Sequence, residues 1–100
     1  MTYEAIIKAV DAHILKSGCR YYKEMYVGIT NDVERRLFNE HNVNRDGNWW
    51  IYAPSDTEEV ARDVESHYLE LGMRGGSGGG AGDGSAQWIY CYVITPNTIE

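Results

Sequence analysis

Three short strand-like runs, separated by helical patterns, constrain the fold of this chain more than any other feature. The clearest run is QWIYCYVIT at residues 87–95, and residues 20–30 and WWIYA at residues 49–53 are similar in composition. The helical patterns cover residues 3–16, 31–41 and 55–71. Because three strands cannot bury both faces of a sheet alone, we predict an α+β fold. It would be a small, mainly antiparallel three-stranded sheet flanked by these helices.

The length of the chain and its glycine-rich linker at residues 75–84 indicate how it is organised into domains. One hundred residues suit a single domain that spans residues 1–100. Seven of the ten residues at 75–84 are glycine, which raises the entropic cost of ordering this loop and predicts a mobile connector. The loop lacks the Lys-Ser/Thr ending of a phosphate-binding loop. The alternative is a flap whose backbone approaches a ligand.

Charge is distributed unevenly along the chain. The formal net charge is −6, which argues against broad, nonspecific binding of nucleic acid. Residues 1–50 hold seven Lys/Arg and seven Asp/Glu, whereas residues 51–100 hold two and eight. A polyanion such as DNA would therefore meet the first half of the chain. The basic residues expected to face it are Arg20, Lys23, Arg35, Arg36 and Arg45.

The two cysteines, Cys19 and Cys91, form neither a metal-ligand pattern nor a disulfide framework. We expect free thiols in a reducing compartment. The sequence shows no signal peptide and no apolar run of the length that spans a membrane. These features predict a cytoplasmic protein without a membrane partner.

The stretch YVGITNDVERRLFNEH, residues 26–41, changes from strand to helix within a few residues. Gly28 either lets the backbone approach another group closely or relieves crowding at the end of the strand. The stretch is thus either an ordinary strand-to-helix corner or part of a site that handles phosphate.

Arg36 is the residue of this stretch best suited to phosphate. It falls at the border of the apolar stripe formed by Val33 and Leu37. From that border its side chain can extend along the sheet toward Tyr26, and its planar fork donates two parallel hydrogen bonds to a phosphate. The alternative is a surface arginine that pairs with Glu40, four residues further on.

Glu65 occupies a similar border position on the helix predicted over residues 55–71. It lies four residues after Ala61 and three before Tyr68, both on the apolar face. A carboxylate there can reach a divalent ion at the sheet surface, and Mg²⁺ commonly takes only one or two protein carboxylates. The alternative is a solvated glutamate on an acidic helix.

Together, YVGITNDVERRLFNEH, WWIYA and ARDVESHYLE resemble the GIY-YIG nuclease family over residues 25–71. The first segment matches the family's Tyr-Ile/Val-Gly strand and arginine helix, and the others match its third strand and glutamate helix. The resemblance implies hydrolysis of DNA phosphodiester bonds with a divalent metal, Mg²⁺ or Mn²⁺. The residues it implicates are Tyr26, Arg36 and Glu65 as catalytic groups, Glu65 as the metal ligand, and Gly28, Arg35 and His41 as supporting groups.

The family's first element, Gly-Ile-Tyr, has no counterpart before Tyr26, where this chain has DAHILK inside a predicted helix. The WIYCYVI run at residues 88–94 could replace it from the other end of the chain. We therefore predict that residues 88–94 pair with residues 25–30 and that Tyr90 or Tyr92 faces Tyr26. Tyr90 accordingly joins the candidate catalytic residues.

Two functions of different class follow from the resemblance. The first is a GIY-YIG-like endonuclease. The second is a catalytically inactive module of the same fold that binds nucleic acid or a protein partner. A third reading is a small protein-binding domain that uses the aromatic surface near Trp49 and Trp50.

Overall fold

The computed structural model of the chain describes residues 1–46, 49–75 and 87–100. Its helices are α1 (Tyr3–Ser17), a 3-10 turn (Tyr22–Glu24), a π-helix (Glu34–Glu40) and α2 (Glu58–Leu71). Its strands are β1 (Met25–Thr30), β2 (Trp50–Pro54) and β3 (Trp88–Val93). The predicted α+β class, with a three-stranded antiparallel sheet and helices, is confirmed. The prediction for the glycine-rich loop at residues 75–84 lies outside the described residues, except for Gly75.

The sheet places β3 between the other two strands, in the order β1-β3-β2, and both pairings are antiparallel. The predicted pairing of the last strand with residues 25–30 is confirmed over its whole length. Tyr26 lies opposite Tyr92, and Gly28 lies opposite Tyr90. On the other side of β3, Tyr52 also lies opposite Tyr90. A strand from the far end of the sequence is thus the centre of the sheet.

Alternation along the strands gives the sheet two different faces. The aliphatic face consists of Met25, Val27, Ile29, Ala53, Ile89 and Cys91, which form one buried core with α1 and α2. The aromatic face consists of Tyr26, Trp50, Tyr52, Trp88, Tyr90 and Tyr92. Leu37 of the π-helix and Val43 pack against its tyrosines. The two α-helices therefore cover one face, and the π-helix covers part of the other.

Both α-helices have side-chain N-caps and left-handed glycine C-caps. Thr57 caps α2 by accepting a hydrogen bond from the Val60 N–H, so the predicted start at Ser55 is three residues too early. The Ser55 hydroxyl instead donates to carbonyls, at 2.7 Å from Thr57 O and 3.0 Å from Gln87 O. The Ser55 hydroxyl therefore links the end of β2 to Gln87, the residue before β3, and does not cap α2.

The helix predicted over residues 31–41 forms a π-helix at Glu34–Glu40. The His41 N–H donates to the Arg36 carbonyl, five residues back, at 2.9 Å. In an α-helix, five residues turn about 140° past a full turn, which would point Arg36 and His41 in different directions. A turn that closes after five residues brings them toward one face instead. Such turns are rare and are found frequently at functional sites.

Short segments complete the sheet surroundings. Arg74 exchanges backbone hydrogen bonds with β1, at 2.9 Å to Met25 O and 2.9 Å from Val27 N, and so covers its outer edge. Residues 96–100 are hydrogen-bonded to the region of His41. Among the residues that the structure describes, no helix is both long and apolar enough to cross a membrane.

Candidate functional site

The aromatic face of the sheet carries a compact tyrosine–histidine cluster, formed by Tyr26, His41, Tyr90 and Tyr92. The Tyr26 ring is stacked on Tyr92, with centroids 5.1 Å apart, and lies 4.8 Å from the His41 ring. Strand register brings the three tyrosines together, and the π-helix delivers His41, which is 2% exposed. The expectation that Tyr90 or Tyr92 would face Tyr26 is met by both residues.

Gly28 makes room for this cluster. A Cβ atom at this position would lie 2.5 Å from Cζ of Tyr90, far inside van der Waals contact. The Tyr90 ring therefore crosses directly over the backbone of β1. Of the two roles considered for Gly28, close approach of another group is the one the structure shows.

Hydrogen bonds fix the tautomer of His41. Its Nδ1 lies 2.6 Å from the Ile99 carbonyl oxygen, which can only accept, so Nδ1 must carry the proton. Its Nε2 lies 2.9 Å from the Tyr90 hydroxyl, which therefore donates to the Nε2 lone pair. Burial lowers the pKa of His41 below the ordinary 6.5, and the Arg36 charge acts in the same direction. The neutral imidazole is thus a proton acceptor aimed at Tyr90.

Arg36 lies beside this pair. Its side chain is 22% exposed and forms an ion pair with Glu40. That pairing is the alternative to phosphate binding that the sequence offered for Arg36. Burial opposes its charge, but Glu40 and the Tyr90 oxygen outweigh that effect and raise the pKa of Arg36. Its Nε is nevertheless buried without a hydrogen-bond partner within the described ranges. A buried donor of this kind is costly, and an anion would supply the missing acceptor.

Arg35 differs from its neighbour. It is exposed, and its Nε lies 3.0 Å from the Glu40 carboxylate. Glu40 therefore holds both arginines, and Arg36 is the one whose charge acts on Tyr90. This makes Arg35 a natural comparison for Arg36 in experiments.

Glu65 lies on α2, the helix whose buried residues pack against the aliphatic face of the sheet. The residue is half-buried, and desolvation raises the pKa of its carboxyl above the ordinary 4.5. The Arg62 charge only partly opposes this, because the Arg62 side chain pairs with Glu58 at 3.2 Å. The Glu65 charge also contributes to raising the pKa of the buried Tyr90 phenol. Among the influences on the pKa of Tyr90, the Glu65 charge is the weakest, after burial and the charges of Arg36 and Tyr26.

Glu65 is the candidate ligand for a divalent metal ion at this site. Within residues 1–46, 49–75 and 87–100, no group of three or more His, Cys, Asp or Glu side chains is placed to hold an ion. A partly desolvated carboxylate with little compensation suits a single-ligand Mg²⁺ or Mn²⁺ site that completes its shell with water and substrate oxygens. Glu65 fits that description.

The strip of aromatic rings beside the cluster extends the same face. Trp50 and Tyr52 stack with centroids 5.6 Å apart, and the Tyr52 ring meets Trp88 edge-on at 5.7 Å. These rings border an open cavity of about 480 Å³ that also touches Phe38 and Arg45. Sequence reasoning named Trp49 and Trp50 for such a surface. Trp50 lines this cavity, whereas Trp49 lines a different one beside Asn42 and Thr95. Strand register adds Tyr52 and Trp88 to the surface.

Sequence reasoning identified most of the polar groups that meet here and missed one. Arg36, Glu65, Tyr90 and His41 were each singled out on the sequence. The carbonyl of Ile99 was not, since every residue has a carbonyl and no side-chain pattern marks the one that will face a histidine.

No family model matches the chain, and neither a curated protein nor a solved structure matches it. What the site can do therefore follows from its own residues: a half-buried arginine, a half-buried carboxylate on α2 and a tyrosine that donates to a neutral histidine.

Proposed function

We propose that this protein is a GIY-YIG-like endonuclease that hydrolyses DNA phosphodiester bonds with the help of a divalent metal. The observation that carries the proposal is the meeting of Arg36 with the Tyr90–His41 hydrogen bond at the Gly28 crossing. Core packing does not require a half-buried guanidinium at that position whose Nε has no hydrogen-bond partner in the part of the chain that the structure describes. A phosphodiester carries a negative charge, and a guanidinium N–H is a charged donor that binds its oxygens strongly.

Each side chain has a distinct task in this proposal. Arg36 binds the phosphate and stabilises the charge that builds on it as the attacking oxygen adds to phosphorus. Glu65 would hold Mg²⁺ or Mn²⁺, which supplies polarisation of the phosphate and assistance to the leaving oxygen. Tyr26 and Tyr90 orient the attacking water.

Proton movement follows the hydrogen bond already in place. As the water oxygen bonds to phosphorus, its proton passes to the Tyr90 oxygen while the Tyr90 proton passes to Nε2 of His41. The bond from phosphorus to the leaving oxygen then breaks, and that oxygen takes a proton from solvent. Burial raises the pKa of Tyr90 well above its usual range. Tyr90 is therefore neutral in the resting site and donates its hydroxyl proton to Nε2 of His41.

The test is cleavage of plasmid DNA in Mg²⁺ or Mn²⁺ by the wild type and three variants. Arg36→Ala and Glu65→Ala should each lower the rate at least 100-fold, because each removes a charged group from the reacting phosphate or its metal. Arg35→Ala is the matched control, since Arg35 shares Glu40 with Arg36 but is exposed. A wild type that leaves DNA intact would refute the endonuclease, and a Glu65→Ala variant that cuts normally would refute the metal-binding role of Glu65.

A non-catalytic binding module is the second candidate. It is favoured by the Arg36–Glu40 ion pair, which occupies the guanidinium, and by the exposed ring of Tyr52 between the half-buried rings of Trp50 and Trp88. Fluorescence anisotropy with labelled single-stranded and duplex DNA in Ca²⁺ separates the two. Binding without cleavage in Mg²⁺ would support the module, and absence of both would leave a protein partner.

A further inference from the structure

Residues 95–100, here called the strap, lie over His41. The Ile99 N–H donates to the His41 backbone carbonyl at 2.8 Å, and the His41 ring donates to the Ile99 carbonyl at 2.6 Å. The Asn42 side chain donates to the Asn97 carbonyl at 2.9 Å. The strap is therefore joined to His41 and its neighbour by three hydrogen bonds.

Apolar burial does not explain why the strap lies there. The Ile99 side chain is 61% exposed. Inside the strap, the Thr98 hydroxyl accepts from the Thr95 N–H and donates to the Thr95 carbonyl, both at 3.0 Å, which pre-shapes the turn. An exposed ion pair between Glu100 and Arg74 adds little stability. The strongest contacts of the strap are the two that Ile99 makes with His41.

We propose that the strap is a positioning element of the site, in which the Ile99 carbonyl holds His41 in the tautomer whose Nε2 accepts the Tyr90 proton. Its catalytic consequence rests on the endonuclease proposed above, but its effect on His41 does not. The other neighbour of Nδ1 is the Tyr92 hydroxyl, at 3.0 Å.

The chemistry of the two neighbours decides which of them selects the tautomer. A hydroxyl can both donate and accept, so Tyr92 is compatible with either tautomer. A carbonyl only accepts, so only Ile99 demands a proton on Nδ1. Without the strap, the tautomer with a proton on Nε2 becomes accessible, and in that form His41 cannot receive the Tyr90 proton.

The experiment compares two substitutions at one position in the full chain. Ile99→Pro removes the N–H that donates to His41 and should release the strap. Ile99→Ala keeps the backbone and changes only an exposed side chain. The ¹⁵N resonances of the His41 ring at pH 7.5 report the tautomer. Wild type and Ile99→Ala should show a single form protonated on Nδ1, and Ile99→Pro should show substantial Nε2 protonation.

Cleavage assays then test the consequence for catalysis. Ile99→Pro should cut DNA about 10- to 100-fold more slowly than Ile99→Ala, because the wrong tautomer disables a proton acceptor. An unchanged tautomer in a folded Ile99→Pro variant would overturn the proposal, whether or not the wild type cuts DNA. A changed tautomer with unchanged cleavage would overturn its catalytic part. An inactive wild type would count against the endonuclease alone.

A second variant covers the case in which Ile99→Pro does not fold. Asn42 has a positive φ of 56°, which glycine adopts without strain. Asn42→Gly therefore removes the bond to Asn97 while leaving the backbone intact. It should shift the His41 tautomer in the same direction as Ile99→Pro but by less. No shift in this variant, with Ile99→Pro unfolded, would also count against the strap.

Discussion

The two faces of the sheet are made by alternate residues of the same three strands, yet one face is apolar and the other carries polar and charged groups. The aliphatic face is closed by α1 and α2 into a core of Val, Ile, Met and Ala side chains. The aromatic face holds hydroxyls, an imidazole and a guanidinium whose Nε has no partner among the described residues. One face thus accounts for stability, and the other retains polar groups that stability alone does not require.

The sharpest way to test this difference is a pair of truncations, one on each face. Ile29→Ala removes a fully buried side chain from the aliphatic face and should lower the free energy of unfolding by about 2–5 kcal/mol. Tyr92→Phe on the aromatic face keeps the ring and should cost only about 0.5–1.5 kcal/mol. Urea denaturation measures both. Equal losses would mean that the two faces are not energetically distinct.

Gly28→Ala tests the close contact between the backbone of β1 and the Tyr90 ring on the aromatic face. The added Cβ would collide with the Tyr90 ring, so we expect a loss of about 1–3 kcal/mol in unfolding free energy and a broken Tyr90–His41 bond. Gly18→Ala is the control, because a Cβ there meets no atom within 4 Å and only strains a φ of 76°. Both variants should be less stable, but only Gly28→Ala should change the His41 ring resonances. Retention of those resonances would contradict the crossing.

Acid should weaken the protein partly through His41 on the aromatic face. Burial lowers the pKa of His41, so between that value and 6.5 the unfolded chain binds a proton that the folded chain excludes. The stability contribution is complete above pH 6.5 and is lost as pH falls through this window. His41→Gln should flatten the decline of unfolding free energy between pH 7 and 5. His13→Gln is needed alongside, since burial also lowers the pKa of His13.

The smallest effect is expected at Glu65, where the folded pKa is raised rather than lowered. The folded chain then binds a proton more tightly than the unfolded chain just above pH 4.5, and stability falls as pH rises through that window. Glu65→Gln should therefore be slightly more stable than wild type at pH 7. Mn²⁺ should raise the melting temperature of the wild type and leave Glu65→Gln unchanged. A variant that still responds to Mn²⁺ would place the metal elsewhere.

How much of this could be predicted from the sequence depends on whether side chains or backbone carry the information. Alternation in WIYCYVI predicted that Tyr90 and Tyr92 share a face, and the structure agrees. The predicted helix over residues 55–71 begins too early, because Ser55 and Thr57 are both good capping residues and the Ser55 hydroxyl bonds to the Gln87 carbonyl instead.

The parts of the site that sequence could not supply are backbone features. Nothing in NDVERRLFNEH distinguishes a π-helix from an α-helix, since the extra residue per turn is accommodated by contacts of Leu37 and His41 with the sheet. The same holds for the Ile99 carbonyl, whose partner is set by the path of the strap. The candidate residues were thus predictable one by one, while their geometry was not.

The central position of β3 has a consequence for how the protein is made. β1 and β2 pair with β3 and not with each other, so neither finds its sheet partner until residues 88–93 have emerged from the ribosome. Contacts so distant in sequence slow folding and leave β1 and β2 exposed during synthesis. The hydroxyl and the imidazole that meet in the Tyr90–His41 bond come together only in that final step. A shortened chain that ends at Gly75 should therefore contain helices but neither the sheet nor the site.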